Sequence, residues 1–194
     1  MIGNILKSLL YTVIAGFVLL IIIVLLAGQP TVYDHAWGAF VMRWLHVVSG
    51  VMWIGLLWYF NFVQIPSMPS IPDEQKPAIS KVIAPTALFW FRYAALATVV
   101  TGLLLAWMQN YIVQALTLQL PFAAIGIGMW IALVMAFNVW FIIWPNQKKA
   151  LGMVVVEPAE KAKAARTAML TSRINTLLSI TMLYMMVAQQ NGGL

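Results

Sequence analysis

Five runs of about twenty apolar residues, separated by short connections, limit what this chain can fold into. In lipid only a helix or a closed barrel satisfies its own backbone, and runs of this length match a helix crossing the hydrocarbon. They lie at about 8–28, 36–65, 85–108, 121–144 and 172–190, with an amphipathic helix expected over about 158–171. Hydrophobic residues make up 63% of the chain and charged residues 8%, against about 25% charged in a soluble domain. The expected fold is therefore all-α, a polytopic membrane bundle of five transmembrane helices that uses residues 1–194 as a single membrane domain. The first run is too long for a signal-peptide core and has no convincing small-residue cleavage site, so a retained anchor is expected.

A net charge of +6 would suit nucleic acid, but the basic residues sit between apolar runs, where they set topology and meet anionic lipid heads. No nucleic-acid partner is expected. Nine of the eleven Lys/Arg are Lys7, Lys76, Lys81, Lys148, Lys149, Lys161, Lys163, Arg166 and Arg173. With five spans all nine fall on one side, which predicts a cytoplasmic N-terminus and an outside C-terminus in a bacterial inner membrane. The absence of cysteine excludes disulfides, iron–sulfur and thiolate metal sites, and covalent haem through CxxCH.

The second run, RWLHVVSGVMWIGLLWYFNFVQIP from Arg43 to Pro66, holds the polar groups most expensive in hydrocarbon. On a helix, Arg43, His46, Gly50, Trp53, Leu57, Asn61 and Gln64 fall within an arc of roughly 80°. That stripe should face protein, cofactor or water. His46 is the one histidine within a run. It can be an axial ligand to a b-type haem, a copper ligand or a proton relay, or a hydrogen-bonded residue inside the bundle. His35 stands some 16 Å away on a continuous helix, too far for one small site, and no second histidine is available to complete a bis-histidine haem. Arg43, one turn outward, can grip an anionic group such as a propionate, a phospholipid or urate, or can snorkel to the interface.

Repeated proline at Pro66, Pro69, Pro72 and Pro77 predicts a loop after the second run. The third and fourth runs carry small residues at every fourth position, Ala94-Thr98-Gly102-Ala106 and Ala124-Gly128-Ala132-Ala136, which predicts a close antiparallel pair. Trp53 and Trp130, at mid-depth, are expected inside the bundle. Glu157/Lys161 and Glu160/Lys163 stand at helical pairing distances. Asn61, Gln64, Arg92, Asn138, Asn175, Thr176 and Ser179 come from four runs at similar depth. They form either an interhelical hydrogen-bond set or a polar pocket for a small ligand. No paired carboxylates, Ser/His/Asp set or HExxH occurs, and no acidic residue lies within a run, which argues against an ion-coupled transporter.

RWLHVVSGVMWIG, FNFVQIP, FWFRYAALATVVTGL, NVWFIIWPNQKK and SRINTLLSITMLYMM, in this order from the second run onward, resemble the N-terminal membrane domain of the bacterial cytochrome c-linked urate oxidases (urate hydroxylases). The resemblance implies a helical membrane domain whose histidine-rich segments hold cofactor or substrate, coupled to a c-type cytochrome. This chain has no CxxCH, is several helices shorter, and keeps only His46 of the membrane histidines. Two expectations follow. One is a non-catalytic accessory subunit that packs with other membrane subunits of a larger complex. The other is a minimal oxidoreductase passing electrons from urate or quinol to a separate cytochrome c, with His46 and Arg43 as its cofactor-binding residues.

Overall fold

The structure, a computed structural model, describes residues 2–28 and 34–193, and those residues are mostly helical, with no strand among them. Contacts divide the chain into two compact units, Met1–Gly38 and Ala39–Leu194. The first unit holds α1 (Ile2–Leu6) and α2 (Leu9–Ala27). Along α2 the Leu, Ile and Val side chains are exposed all round, the surface of a helix meant for an apolar solvent. The predicted end of this run at Gln29-Pro30 lies outside the described residues. Asp34 accepts a hydrogen bond from the Trp37 backbone N–H at 2.9 Å and so caps the start of α3.

α3 runs from His35 to Ser70, its first four residues in the first unit and the rest in the second, and α4 runs from Lys76 to Met108. A short α5 (Ile112–Leu116) leads to α6 (Ala123–Ala150), and α7 (Pro158–Asn191) closes the chain. The proline-rich stretch corrects the loop expectation, because helix continues through Pro66 and only residues 71–75 separate α3 from α4. The reason is a device used three times. Tyr59–Gln64, Ile79–Ile83 and Asn138–Ile143 are π-helical turns, each ending just before an X-Pro pair. A proline lacks an N–H and its ring crowds the carbonyl four residues back. The widened turn makes room for the ring: Ile65, Ala84 and Trp144, the residues before Pro66, Pro85 and Pro145, donate five residues back to Phe60, Ile79 and Val139. The residue after each proline then bonds a carbonyl four residues back through its side chain. Ser67 Oγ donates to Val63 at 2.7 Å, Thr86 Oγ1 to Val82 at 3.2 Å and Asn146 Nδ2 to Ile142 at 2.8 Å. Backbone polar groups freed by proline are thus re-satisfied within the helix.

α7 runs antiparallel along α6. Gln189 bonds both ends of the turn that opens α6, Asn175 meets Met135 and Asn138 midway, and Glu160 pairs with Lys149 at the far end at 2.6 Å. The helix-internal pairing expected for Glu160 with Lys163 gives way to this cross-helix pair. The main core gathers Trp53, Ile54, Leu57 and Phe60 of α3, Leu88, Phe91, Ala94 and Ala95 of α4, Ala132, Met135, Val139 and Ile143 of α6, and Met182 of α7. Trp53 is fully buried as expected, whereas Trp130 is 49% exposed and donates its indole N–H to the Leu116 carbonyl at 3.0 Å.

Among the described residues, four helices are long and apolar enough to cross a membrane: Leu9–Leu26, His35–Ser70, Lys76–Met108 and Ala123–Ala150. The expected fifth, α7, is not among them. Its inward face carries Ser172, Asn175 and Ser179, all buried, and its lead-in is charged, so its apolar residues are diluted.

Candidate functional site

Two groups of side chains inside the second unit can do more than fill space. The first surrounds His46. Its ring sits against Gly102 of α4, where a Cβ would come within 2.8 Å of the imidazole Cε1, so only glycine admits the ring this close. Nδ1 lies 2.9 Å from the Thr98 carbonyl and 3.3 Å from Thr101 Oγ1. A carbonyl only accepts, so Nδ1 carries the proton and Nε2 keeps its lone pair. His46 lines a cavity with Trp53, Thr98, Gly102, Met129, Met182 and Met186, among others, whose volume is about 50 Å³. That holds a few waters or one ion and falls well short of the roughly 300–1,000 Å³ of small-molecule pockets. The residues present therefore do not fit a b-type haem. No group of three or more His, Cys, Asp and Glu that could hold a metal occurs among the described residues.

The small-residue ladders are close-approach surfaces, but not chiefly for one another. Gly102 receives His46 of α3, and Gly128 receives Met185 and Met186 of α7, with Met185 Cβ 3.1 Å from where a Cβ would stand. α4 and α6 still share the main core through Ala94, Ala95 and Ala132. Gly126 lies on the Ala115 carbonyl of α5, where a Cβ would collide, so this glycine too serves backbone packing.

The second group is built on α7. Ser172, Asn175 and Ser179, at i, i+3 and i+7, lie on one helix face and are buried. Asn138 Nδ2 donates to Asn175 Oδ1 at 2.8 Å, and Asn175 Nδ2 donates to the Met135 carbonyl at 2.9 Å. Asn61 Nδ2 donates to Ser172 Oγ at 2.8 Å and to the Leu57 carbonyl, while Trp58 Nε1 donates to Ser179 Oγ at 3.0 Å. Asn61 of α3 and Asn138 of α6 thus bond the same buried face of α7 through separate contacts, at Ser172 and Asn175. Gln64 and Arg92 are not among these contacts: Gln64 Oε1 and Arg92 Nη1 are enclosed without a hydrogen-bond partner. Arg92 instead stacks on Trp144, its guanidinium carbon 3.4 Å from the ring centroid.

Arg43 Nε is likewise enclosed and unpartnered. Beyond the end of α4, burial pushes the Tyr111 hydroxyl above the ordinary phenol range, and the positive charge of Arg43 opposes that shift. Tyr111 itself stacks on Phe122 at 5.1 Å. Sequence reasoning missed Ser172, Trp58, Thr98 and Trp144 as partners. The i, i+3, i+7 spacing of Ser172, Asn175 and Ser179 was the available signal for the first. No protein-family profile, curated protein or solved structure matches this chain. The likeness to the urate oxidases therefore rests on the short segments quoted above.

Proposed function

We propose that this chain is a non-catalytic accessory subunit of a larger bacterial inner-membrane complex, with a redox assembly of the urate oxidase kind as the partner class that the segment likeness suggests. The observation that carries this reading is where the intramembrane polar groups go. Asn61, Asn138, Asn175, Ser172 and Ser179 are occupied in joining helices, and His46 holds α3 to α4. Such groups are costly in lipid unless they are paired, and these interhelical bonds give partners to Asn138, Asn175, the two serines and the amide nitrogen of Asn61. The reading has five spans, with α7 as the fifth, a cytoplasmic N-terminus and an outside C-terminus. Support for α7 comes from its outward face, where Ile174, Leu177, Ile180, Tyr184 and Val187 are exposed. Apolar outside and polar inside suits a helix that meets lipid on one flank and protein on the other. Gentle detergent extraction, followed by mass spectrometry of what accompanies the chain, tests the proposal: other membrane subunits should co-purify.

A second reading, a minimal urate hydroxylase-like oxidoreductase serving a separate cytochrome c, draws support from one feature. His46, bonded through Nδ1, lines a cavity that Met129, Met182 and Met186 also line. Thioether is a soft ligand of the kind that selects Cu(I), and imidazole suits copper among other metals. A visible spectrum and copper analysis of the purified chain separate this reading from the first.

A further inference from the structure

Arg92 raises a question that the helix-joining contacts do not answer. It lies on α4 about two turns after Ala84, is only 8% exposed, and has no hydrogen-bond partner for its enclosed Nη1. Its guanidinium carbon stands 3.4 Å from the Trp144 ring centroid, and the Lys148 ammonium stands 5.6 Å from the same ring. The ion pairs Lys76–Asp73 and Lys149–Glu160 include neither of these cations. Two positive groups therefore converge on one indole with no carboxylate between them. The ring's electron-rich face offsets part of the cost, but a largely buried arginine without an anion is left short of acceptors.

We infer that Arg92, Trp144 and Lys148 bind a phosphate-type anion, supplied by the headgroup of an anionic phospholipid. Arginine presents a planar fork to phosphate oxygens and lysine a point charge, a complementary pair for one phosphodiester. Further unused hydrogen-bonding capacity lies nearby. The Trp140 indole N–H, one turn before Trp144, is enclosed and unpartnered, and so is Oε1 of Gln147, the residue before Lys148. Turning the Gln147 amide over would present its NH₂ there instead. Depth and surroundings favour a lipid source over free phosphate. Lys148 lies at the end of the apolar stretch Ala123–Ala150, at the level where phospholipid phosphates sit. A run of aromatic rings leads away from the site: Tyr93 meets Trp140 edge-on at 5.8 Å and Phe89 at 4.6 Å, and Phe89, Trp90, Tyr93 and Phe141 are all exposed. Acyl chains can lie on that surface, whereas inorganic phosphate gains nothing from it. The inference requires a membrane-embedded chain and is independent of the accessory-subunit reading.

The test is intact-mass measurement of the full chain in mild detergent, with phosphatidylglycerol, phosphatidylcholine or inorganic phosphate added. The expected result is retention of phosphatidylglycerol above the other two, reduced about tenfold by Arg92→Gln and severalfold by Lys148→Gln. Lys161→Gln, at an exposed lysine on α7 that is not one of the three site residues, should retain lipid as the wild type does. Lys148 is at the half-buried margin, so its variant keeps the test decisive if Arg92→Gln fails to fold. Equal phosphatidylglycerol retention by the wild type and Lys148→Gln would overturn the site. Phosphate held as well as phosphatidylglycerol would overturn its lipid source.

Discussion

At Gly102 and Gly55 the same small substitution meets different surroundings. Alanine at Gly102 puts a methyl group 2.8 Å from the His46 ring, whereas at Gly55 nothing lies within 4 Å. Gly102→Ala should therefore destabilise the bundle by about 1–3 kcal/mol through overpacking. Gly55→Ala should be neutral or stabilising by up to about 1 kcal/mol through helix propensity. Denaturant titration of the detergent-solubilised variants reads both, and equal loss at the two positions would show that His46 does not pack there. Asn175, fully buried and bonded to α6 twice, gives a second residue-scale expectation. Asn175→Leu should cost about 1–2 kcal/mol in the same titration, because it strands Asn138 and removes a bond between helices. Thr176→Val, whose hydroxyl only bonds back to Ser172 on its own helix, should cost less. The intramembrane asparagines were legible in the sequence because polar residues at similar depth on different runs find one another. Arg92 was not, since its partner is an indole face on another helix and no spacing rule announces it.

The three π-turns are the element-scale feature that composition hid. Proline clusters argued for a loop, yet the helices continue, because Pro66, Pro85 and Pro145 are each preceded by a widened turn and followed by Ser, Thr or Asn. The pattern is local and could have been read from Ile-Pro-Ser, Ala-Pro-Thr and Trp-Pro-Asn. Ser67→Ala, Thr86→Ala and Asn146→Ala should each raise amide hydrogen exchange in the adjacent π-turn, since a carbonyl loses its donor. Thr117→Ala is the control: Thr117 also bonds four residues back, to Val113 at 2.7 Å, but with no proline beside it. If exchange rises as much around Thr117 as around the three prolines, the side-chain bonds are incidental to the turns. The paired ladders were half legible in the same way. Small residues every fourth position announce a close approach, but which helix approaches depends on side chains such as His46 and Met185 that lie far away in sequence.

For the whole molecule, the number and length of the apolar runs made the all-helical class evident at once. The fifth run was harder to assign, because the residues that anchor α7 to α6 and α3 are the polar ones that lower its mean hydropathy. If α7 crosses the membrane, a phosphatase fused after Leu194 should be active outside the cytoplasm. Activity at that end from a cytoplasmic reporter alone would remove the fifth span. The buried polar groups join helices, and the chain is proposed to serve a larger complex. The composition and activity of gently extracted material test that proposal most directly. The predicted result is the chain accompanied by other membrane subunits. The isolated chain should show no Soret band and no urate-dependent reduction of cytochrome c. A solitary chain that reduces cytochrome c with urate, and stops when His46 is replaced by alanine, would contradict the account.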